Sequence, residues 1–229
     1  KLVPIKTPVD PENPFEMGRI DEDKMYDIVM SWDWGNSGSD DIYHDPETRK
    51  NAITYRSNLA RLAEQLIKVN KFSKAEDVLD LGMKHIPVKH YQYYQLVEPF
   101  ITGYYQIDKK EKAREIWNEV ATNYQEWLDY YAGMSYESQI ENADRIFTEI
   151  EKYRSLVDIL IIYQDNDLVK EKASEFNSYL EKFSHFYEDS DSEDVDQNLL
   201  DELNDEDLNE TKGDSTKGKL LSPDQIPNS

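Results

Sequence analysis

The chain has 229 residues, 38% hydrophobic and 32% charged, with a formal charge of −22; this suffices for one globular domain but not for a packed core over the whole length. Residues 188–229 hold 14 acidic and 3 basic residues and so carry half of that charge. With no basic patch elsewhere, nucleic acid is excluded as a partner.

Residues 1–20 are punctuated by Pro4, Pro8, Pro11 and Pro14. Proline lacks an amide donor and restricts its predecessor, so an extended lead-in is expected. Lys1-Leu2-Val3-Pro4 is neither an initiator methionine nor a signal peptide, and the chain is expected to be cut from something larger. A short helix is predicted over 22–31, with Met25, Ile28 and Val29 on one face. Residues 32–39 then read as a loop rich in glycine, asparagine and serine. Trp32 and Trp34 alternate within it and do not easily share one core, so they are expected to pin the loop onto the first repeat.

Asp45-Pro46 is an N-cap followed by proline at the first helical position. The helix it opens runs to about Val69, with Leu59, Leu62, Ala63, Leu66 and Ile67 on one face. After the break at residues 70–72, Ser73 and Glu76 form a capping-box pair for a second helix, which closes before Pro87. A third helix is predicted over 91–106. Asp108 with Glu111 repeats the cap before a fourth, which passes Trp127 and ends by Gly133 and Ser135. Two more follow, at about 137–164 and 167–187. No alternating strand pattern occurs, and no run is long and apolar enough to span a bilayer.

Paired helices with short turns invite a test for repeats. The tetratricopeptide pattern sets large, large, small and large residues in a first helix, then alanine and a large residue in a second, then proline. Leu59, Leu62, Ala63, Leu66, Ala75, Leu79 and Pro87 match it. Val97, Phe100, Ile101, Tyr104, Ala113 and Trp117 match again 38 residues later, with Ile101 large for its position. Val157, Leu160 and Ile161 with Ala173 form a degenerate third match, in which Gln164 and Asn177 stand where large residues belong. The predicted fold is all-α: antiparallel helix pairs stacked as a tetratricopeptide-like right-handed superhelix over 45–187. An irregular lead-in occupies 1–44 and a disordered acidic tail 188–229. Repeat geometry assigns Glu64, Lys68, Glu98, Thr102, Tyr105 and Asp158 to a groove facing a protein or peptide partner.

Residues 188–210 contain twelve acidic residues and no lysine or arginine, so ordering entropy and self-repulsion outweigh what they bury. Leu199, Leu200, Leu203 and Leu208 fit one side of a transient helix, but a solvating tail is the simpler reading. Asp189–Asp194 lacks the glycine and glutamate of an EF-hand. There is no cysteine, and His44, His85, His90 and His185 show no metal-ligand spacing. His85 and His90 flank Pro87, where a histidine commonly caps helix carbonyls. No phosphate-binding glycine loop, nucleophile elbow or nucleotide fingerprint occurs, and no metal, cofactor or catalytic residue is assigned. Tyr91, Tyr93, Tyr94, Tyr104, Tyr105, Tyr124, Trp127, Tyr130, Tyr131 and Tyr136 crowd the middle of the chain. At helical spacing most such rings are core; the alternative is stacking on a glycan or peptide.

Leu2-Val3-Pro4-Ile5-Lys6-Thr7-Pro8, Met25-Tyr26-Asp27, Trp34-Gly35-Asn36, Ile42-Tyr43 with Asp45, and Arg56, Asn58, Leu59, Arg61, Leu62 and Ala63 occur in that order. Lys74-Ala75, Val78-Leu79-Asp80, Tyr104-Tyr105 and Asp129-Tyr130-Tyr131 continue the series. Together they resemble a family of large bacterial multi-pass membrane proteins related to protein O-mannosyltransferases, over residues 1–180. The resemblance implies a C-terminal extramembrane region on the periplasmic face, tied to the membrane only through segments N-terminal to this chain. Glycosyl transfer from a lipid-linked donor would reside in those segments, and none of the family's catalytic positions carries over. It leaves three readings of the chain: an interaction module, a sugar-binding accessory half of the transferase site, or a free-standing helical-repeat adaptor or spacer.

Overall fold

A computed structural model describes residues 20–188, and every regular element among them is helical. Helix α1 (Glu22–Met30) begins at Asp21, whose carboxylate accepts the Lys24 amide at 3.1 Å. Helix α2 (Pro46–Lys68) begins as expected: Asp45 accepts the amides of Glu47 and Thr48 at 2.9 and 3.1 Å, with Pro46 next in line. Each cap satisfies donors that the helix itself leaves unpaired.

The two expected capping boxes do not form. Helices α3 (Phe72–His85) and α6 (Lys110–Ala132) follow Lys71 and Lys109 with no side-chain cap. The cause lies in the preceding turns. Asn70 and Asp108 take left-handed φ values of 60° and 59°, and the next amides return to Leu66 and Tyr104 carbonyls at 2.8 Å. This hydrogen-bonded helix stop leads directly into the next helix, so Ser73 already lies inside its first turn. Glu76 instead takes Lys112 and Lys109 at 2.9 and 3.0 Å. The same turn recurs at Gln164 (φ 51°), between α8 (Ala143–Ile162) and α9 (Asn166–Lys182), where Asp165 N meets Leu160 O at 2.9 Å.

The helix predicted over 91–106 is also interrupted. A short α4 (Val88–Tyr91) stops at Gln92 and Tyr93, both at positive φ. A 3-10 turn (Tyr94–Leu96) follows, and α5 (Glu98–Gln106) begins only after it. Arg56, fully buried on α2, accounts for the break. Its guanidinium donates to the carbonyls of Ile86 (2.9 Å), Pro87 (3.3 Å), Tyr93 (3.3 Å) and Gln92. A regular helix through this stretch would not gather those carbonyls around one side chain. The predicted helix over 137–164 likewise divides into α7 (Tyr136–Glu141) and α8 at Asn142, whose Nδ2 and backbone amide both donate to the Ser138 carbonyl, at 2.8 and 3.2 Å.

The helices pack mainly on their neighbours in sequence: α2 on α3, α5 on α6, α8 on α9, with α3 meeting α5 and α6 meeting α8. Both well-matched repeat sets are buried, from Leu59 through Leu79 and from Val97 through Trp117. A Cβ on Gly82 would lie 2.5 Å from a Phe100 ring carbon, so glycine there lets α3 approach α5 closely. The third set is corrected by one helical turn. Ile161 is 39% exposed and Gln164 sits in the turn, whereas Tyr153, Leu156, Val157 and Leu160 are buried. Counted back from Asn70, Asp108 and Gln164, these four occupy the places of Leu59–Leu66 and Val97–Tyr104.

Helix α1 packs on α2 and α3. Tyr26 donates to Asp77 at 2.7 Å, and Asp23 holds Lys71 and Lys74 at 2.6 and 2.7 Å. The described residues before 45 therefore contribute to the helical body. Contacts divide the chain into two units, Lys1–Ser184 and His185–Ser229, and of the second only the short helix α10 (His185–Glu188) is described. The expected acidic tail beyond it lies outside the described residues.

Candidate functional site

Two concave regions stand out on the helical body. The first is a groove between α2 and α5, about 400 Å³ in volume. Arg61, Glu64 and Ile67 contribute from α2, and Pro99, Thr102 and Gln106 from α5, over a floor that includes Ala60 and Gly103. Gly103 lets α5 approach α3, since a Cβ there would lie 3.1 Å from the Leu79 methyl carbons, and the groove's lining carries both charges and neutral hydrogen-bonding groups.

The six positions assigned from sequence divide around this groove. Glu64 and Thr102 line it. Lys68 stands one turn beyond Glu64 and pairs with it at 2.8 Å, both well exposed. Glu98 and Tyr105, on the same helix as Thr102, reach instead toward the third hairpin. Glu98 accepts the Ser155 hydroxyl at 3.1 Å, and its other oxygen is buried without a partner, so burial raises its pKa. Tyr105 donates to Asp165 at 2.8 Å and stacks on Tyr163. Asp158 is half-buried on α8, and desolvation raises its pKa as well. Glu64, Thr102 and Asp158 each lie six residues ahead of their hairpin's left-handed turn residue.

Asp165 anchors the third hairpin. Its side chain is fully buried and accepts from Tyr105 and from Arg114 Nε, both at 2.8 Å, with Lys110 Nζ at 3.1 Å. Arg114 above all, then Tyr105 and Lys110, holds its carboxyl well below the ordinary carboxylate range.

The second concave region lies under the loop after α1. Trp32 and Trp34 both meet Tyr55 of α2, with ring centroids 5.5 and 5.4 Å apart, and Trp34 stacks on His85 at 5.2 Å. The two indoles thus pin the loop to the first hairpin, but from one shared cluster, with their own centroids 5.5 Å apart, where alternation had argued against a common core. Gly38 is needed where the loop meets α3, because a Cβ there would lie 2.2 Å from the Lys84 carbonyl oxygen. Tyr91 ties the loop from the other side, donating to the Ser37 carbonyl at 3.1 Å. Beneath the loop remains a cavity of about 500 Å³, lined by these rings with Asp33, Ser37, Thr48 and Asn51.

No family model, curated protein or solved structure matches this chain. Among the described residues no group of three or more His, Asp or Glu side chains is placed to hold a metal ion, and no helix is long and apolar enough to cross a membrane. Of the central aromatics, Tyr91, Tyr104, Tyr124 and Tyr131 are buried in the core, whereas Trp127 and Tyr130 are exposed on α6.

What sequence reasoning missed was the pair of buried charges and the cavity. Arg56 and Asp165 were passed over because a charge in a polar-looking stretch reads as solvent-facing. Asp165 had one usable signal, its place directly after the turn that closes α8.

Proposed function

We propose that this chain is a non-catalytic interaction module of the tetratricopeptide type, stacked as a right-handed superhelix, whose α2–α5 groove receives a segment of a protein partner. The observation that carries the reading is positional. The same left-handed turn ends the first helix of three successive hairpins, and Glu64, Thr102 and Asp158 recur at one fixed distance before it. Equivalent positions on stacked first helices form the inner wall of such a solenoid, which is where these repeats take their ligands. In support, Glu64 and Thr102 share one open groove with Arg61, Pro99 and Gln106.

The parent, on this reading, is a membrane protein resembling the O-mannosyltransferase-related family, with this region on the periplasmic face. Its support is the ordered set of residues from Leu2 to Tyr131.

Photo-crosslinking residues placed at Glu64 and Thr102, with a control at exposed Glu171 on α9, test the module. Discrete adducts at the first two and not at the third are expected; equal labelling at all three, or none, overturns the groove assignment. Probing fractionated source cells with an antibody to the chain tests the parent. A membrane band much larger than this chain is expected, and a soluble band of the chain's own size overturns it.

A further inference from the structure

A further cleft, of about 320 Å³, opens where α4 gives way to α5. Tyr93, Tyr94 and Trp127 supply its rings, Gln92 and Gln95 its amides, and α8 adds Glu149 and Lys152. Gln92, Tyr93, Gln95 and Trp127 are all open to solvent, and their side chains make no hydrogen bond among the described residues. The backbone here is unusual. Gln92 (φ 54°, ψ −139°) and Tyr93 (φ 48°, ψ 54°) take left-handed conformations that residues with a Cβ enter only under constraint. Arg56 supplies the constraint through both carbonyls. Strain of this kind collects at ligand clamps.

Rings and free donors together discriminate among occupants. Lys152, the one cation of the lining, is already bonded to Glu149 at 2.6 Å, so an anion finds no free counter-charge. Strand addition requires an open sheet edge, and no strand occurs among the described residues. A helical ligand spends its carbonyls internally and offers no acceptors to the glutamine amides and the indole N–H. A polyproline-II segment suits both features, because its carbonyls make no internal hydrogen bonds and its prolines lie on aromatic rings.

The chain carries one such sequence. Pro8, Pro11 and Pro14 recur at every third residue, the repeat of that helix, in the stretch before the described residues. Ile20 lies beside Asn58 and Arg61 of α2, and Arg56 of the same helix bonds Gln92 at the cleft. Residues 15–19 span up to about 17 Å when extended, against roughly 10–12 Å for the breadth of one helix. That length brings Pro14 round α2 to Gln92.

We infer that the cleft of Tyr93 and Trp127 is the docking site of the chain's own proline-rich segment, residues 8–14.

The test uses the full 229-residue chain with a photoreactive benzophenone side chain at Val9, between two of the prolines. Irradiation in dilute solution is expected to give an adduct within one molecule, mapped by mass spectrometry to residues 92–95 or to Trp127. Tyr93→Gly removes a ring where glycine suits the backbone, so the adduct is expected to be lost while circular dichroism stays unchanged. Substituting Pro8→Ala, Pro11→Ala and Pro14→Ala together is expected to shift the indole N–H signal of Trp127 in NMR spectra. The signal of Trp117, bonded to the Leu156 carbonyl at 2.7 Å, is expected to stay in place. The inference is overturned if adducts map elsewhere on the chain, if they form only between two molecules, if none forms, or if the Trp127 signal ignores the prolines. The α2–α5 groove shares no lining residue with this cleft, so its crosslinking test stands or fails separately.

Discussion

The connection after α3 and the connection between α8 and α9 each turn around a buried charge, but the two charges are held in different ways. Arg56 is surrounded by backbone. Its hydrogen bonds all go to carbonyl oxygens of residues 86–93, and burial pushes its pKa down to about 10 without removing the charge at neutral pH. Asp165 is surrounded by side chains, two of them cationic. The first arrangement shapes irregular backbone that nothing else would hold. The second locks helices that are regular already. A buried charge whose partners are carbonyl dipoles therefore decides local conformation, whereas one with ionic partners decides how finished elements sit together.

Breaking each anchor in turn tests that distinction. Arg56→Ala is expected to give the largest effect, about 3–5 kcal/mol, because it empties a buried site and takes their donor from the Ile86 and Gln92 carbonyls, whereas Pro87 and Tyr93 keep backbone donors. Arg56→Lys is expected to rescue little of it, since an ammonium cannot reproduce the guanidinium fork. Chemical denaturation measures both, and a loss under 1 kcal/mol (roughly the value of an exposed pair) would show that the 86–97 segment holds itself.

Asp165→Asn is expected to cost about 2–3 kcal/mol at neutral pH, as Arg114 and Lys110 lose their shared counter-charge. The pH dependence has a definite sign. The folded pKa lies below the unfolded value near 3.8, so the contribution of Asp165 is complete above that value and fades as pH falls below it. The stability gap between parent and Asp165→Asn should stay level down to about pH 5 and narrow progressively as pH falls below about 4. A gap that persists into strong acid would contradict the ionic account. A weaker closing is expected for Arg56→Ala in the same acid range, because the guanidinium is held by carbonyls and Glu119 acts on it only through charge, without a hydrogen bond.

Gly38→Ala probes the neighbouring loop without touching either charge. Its new methyl would meet the Lys84 carbonyl, and a loss of about 1–3 kcal/mol is expected with displacement of the loop. Trp34 fluorescence, changed by unstacking from His85, reports the movement; an unaltered spectrum and melt would mean the contact is slack. The smallest effect belongs to Lys112→Ala. Lys112 bridges Glu76 and Asp80 at 2.9 and 2.8 Å with 40% of its side chain exposed, and such pairs contribute at most about 1 kcal/mol. A larger loss would place that network beside the two buried anchors.

Much of the fold was legible because it rests on local rules. Asp45-Pro46 stated a helix start that the structure realises, and the spacing of Leu59, Leu62, Ala63 and Leu66 named a buried face. The helices near 91–106 and 137–164 were read as continuous because periodicity does not register a competing hydrogen bond. Arg56 lies 30 residues or more from the carbonyls it gathers, and no window on the sequence contains both. The capping boxes failed for a related reason: Ser73 and Glu76 have the right spacing, but the turn at Asn70 starts the helix before Ser73 can cap it.

The groove was partly legible. Glu64 and Thr102 follow from repeat counting and do line one depression, whereas the bonds of Glu98 to Ser155 and of Tyr105 to Asp165 depend on where the third hairpin packs. The cavity under Trp32 and Trp34 was not legible beyond the expectation that the loop is pinned. The sequence by itself determined the helical class, the helix start at Asp45-Pro46 and the apolar faces, since these depend on residues within a few turns of one another. Tertiary structure decided where helices break, the register of the third hairpin and which charges are buried, because those depend on partners that only packing brings together.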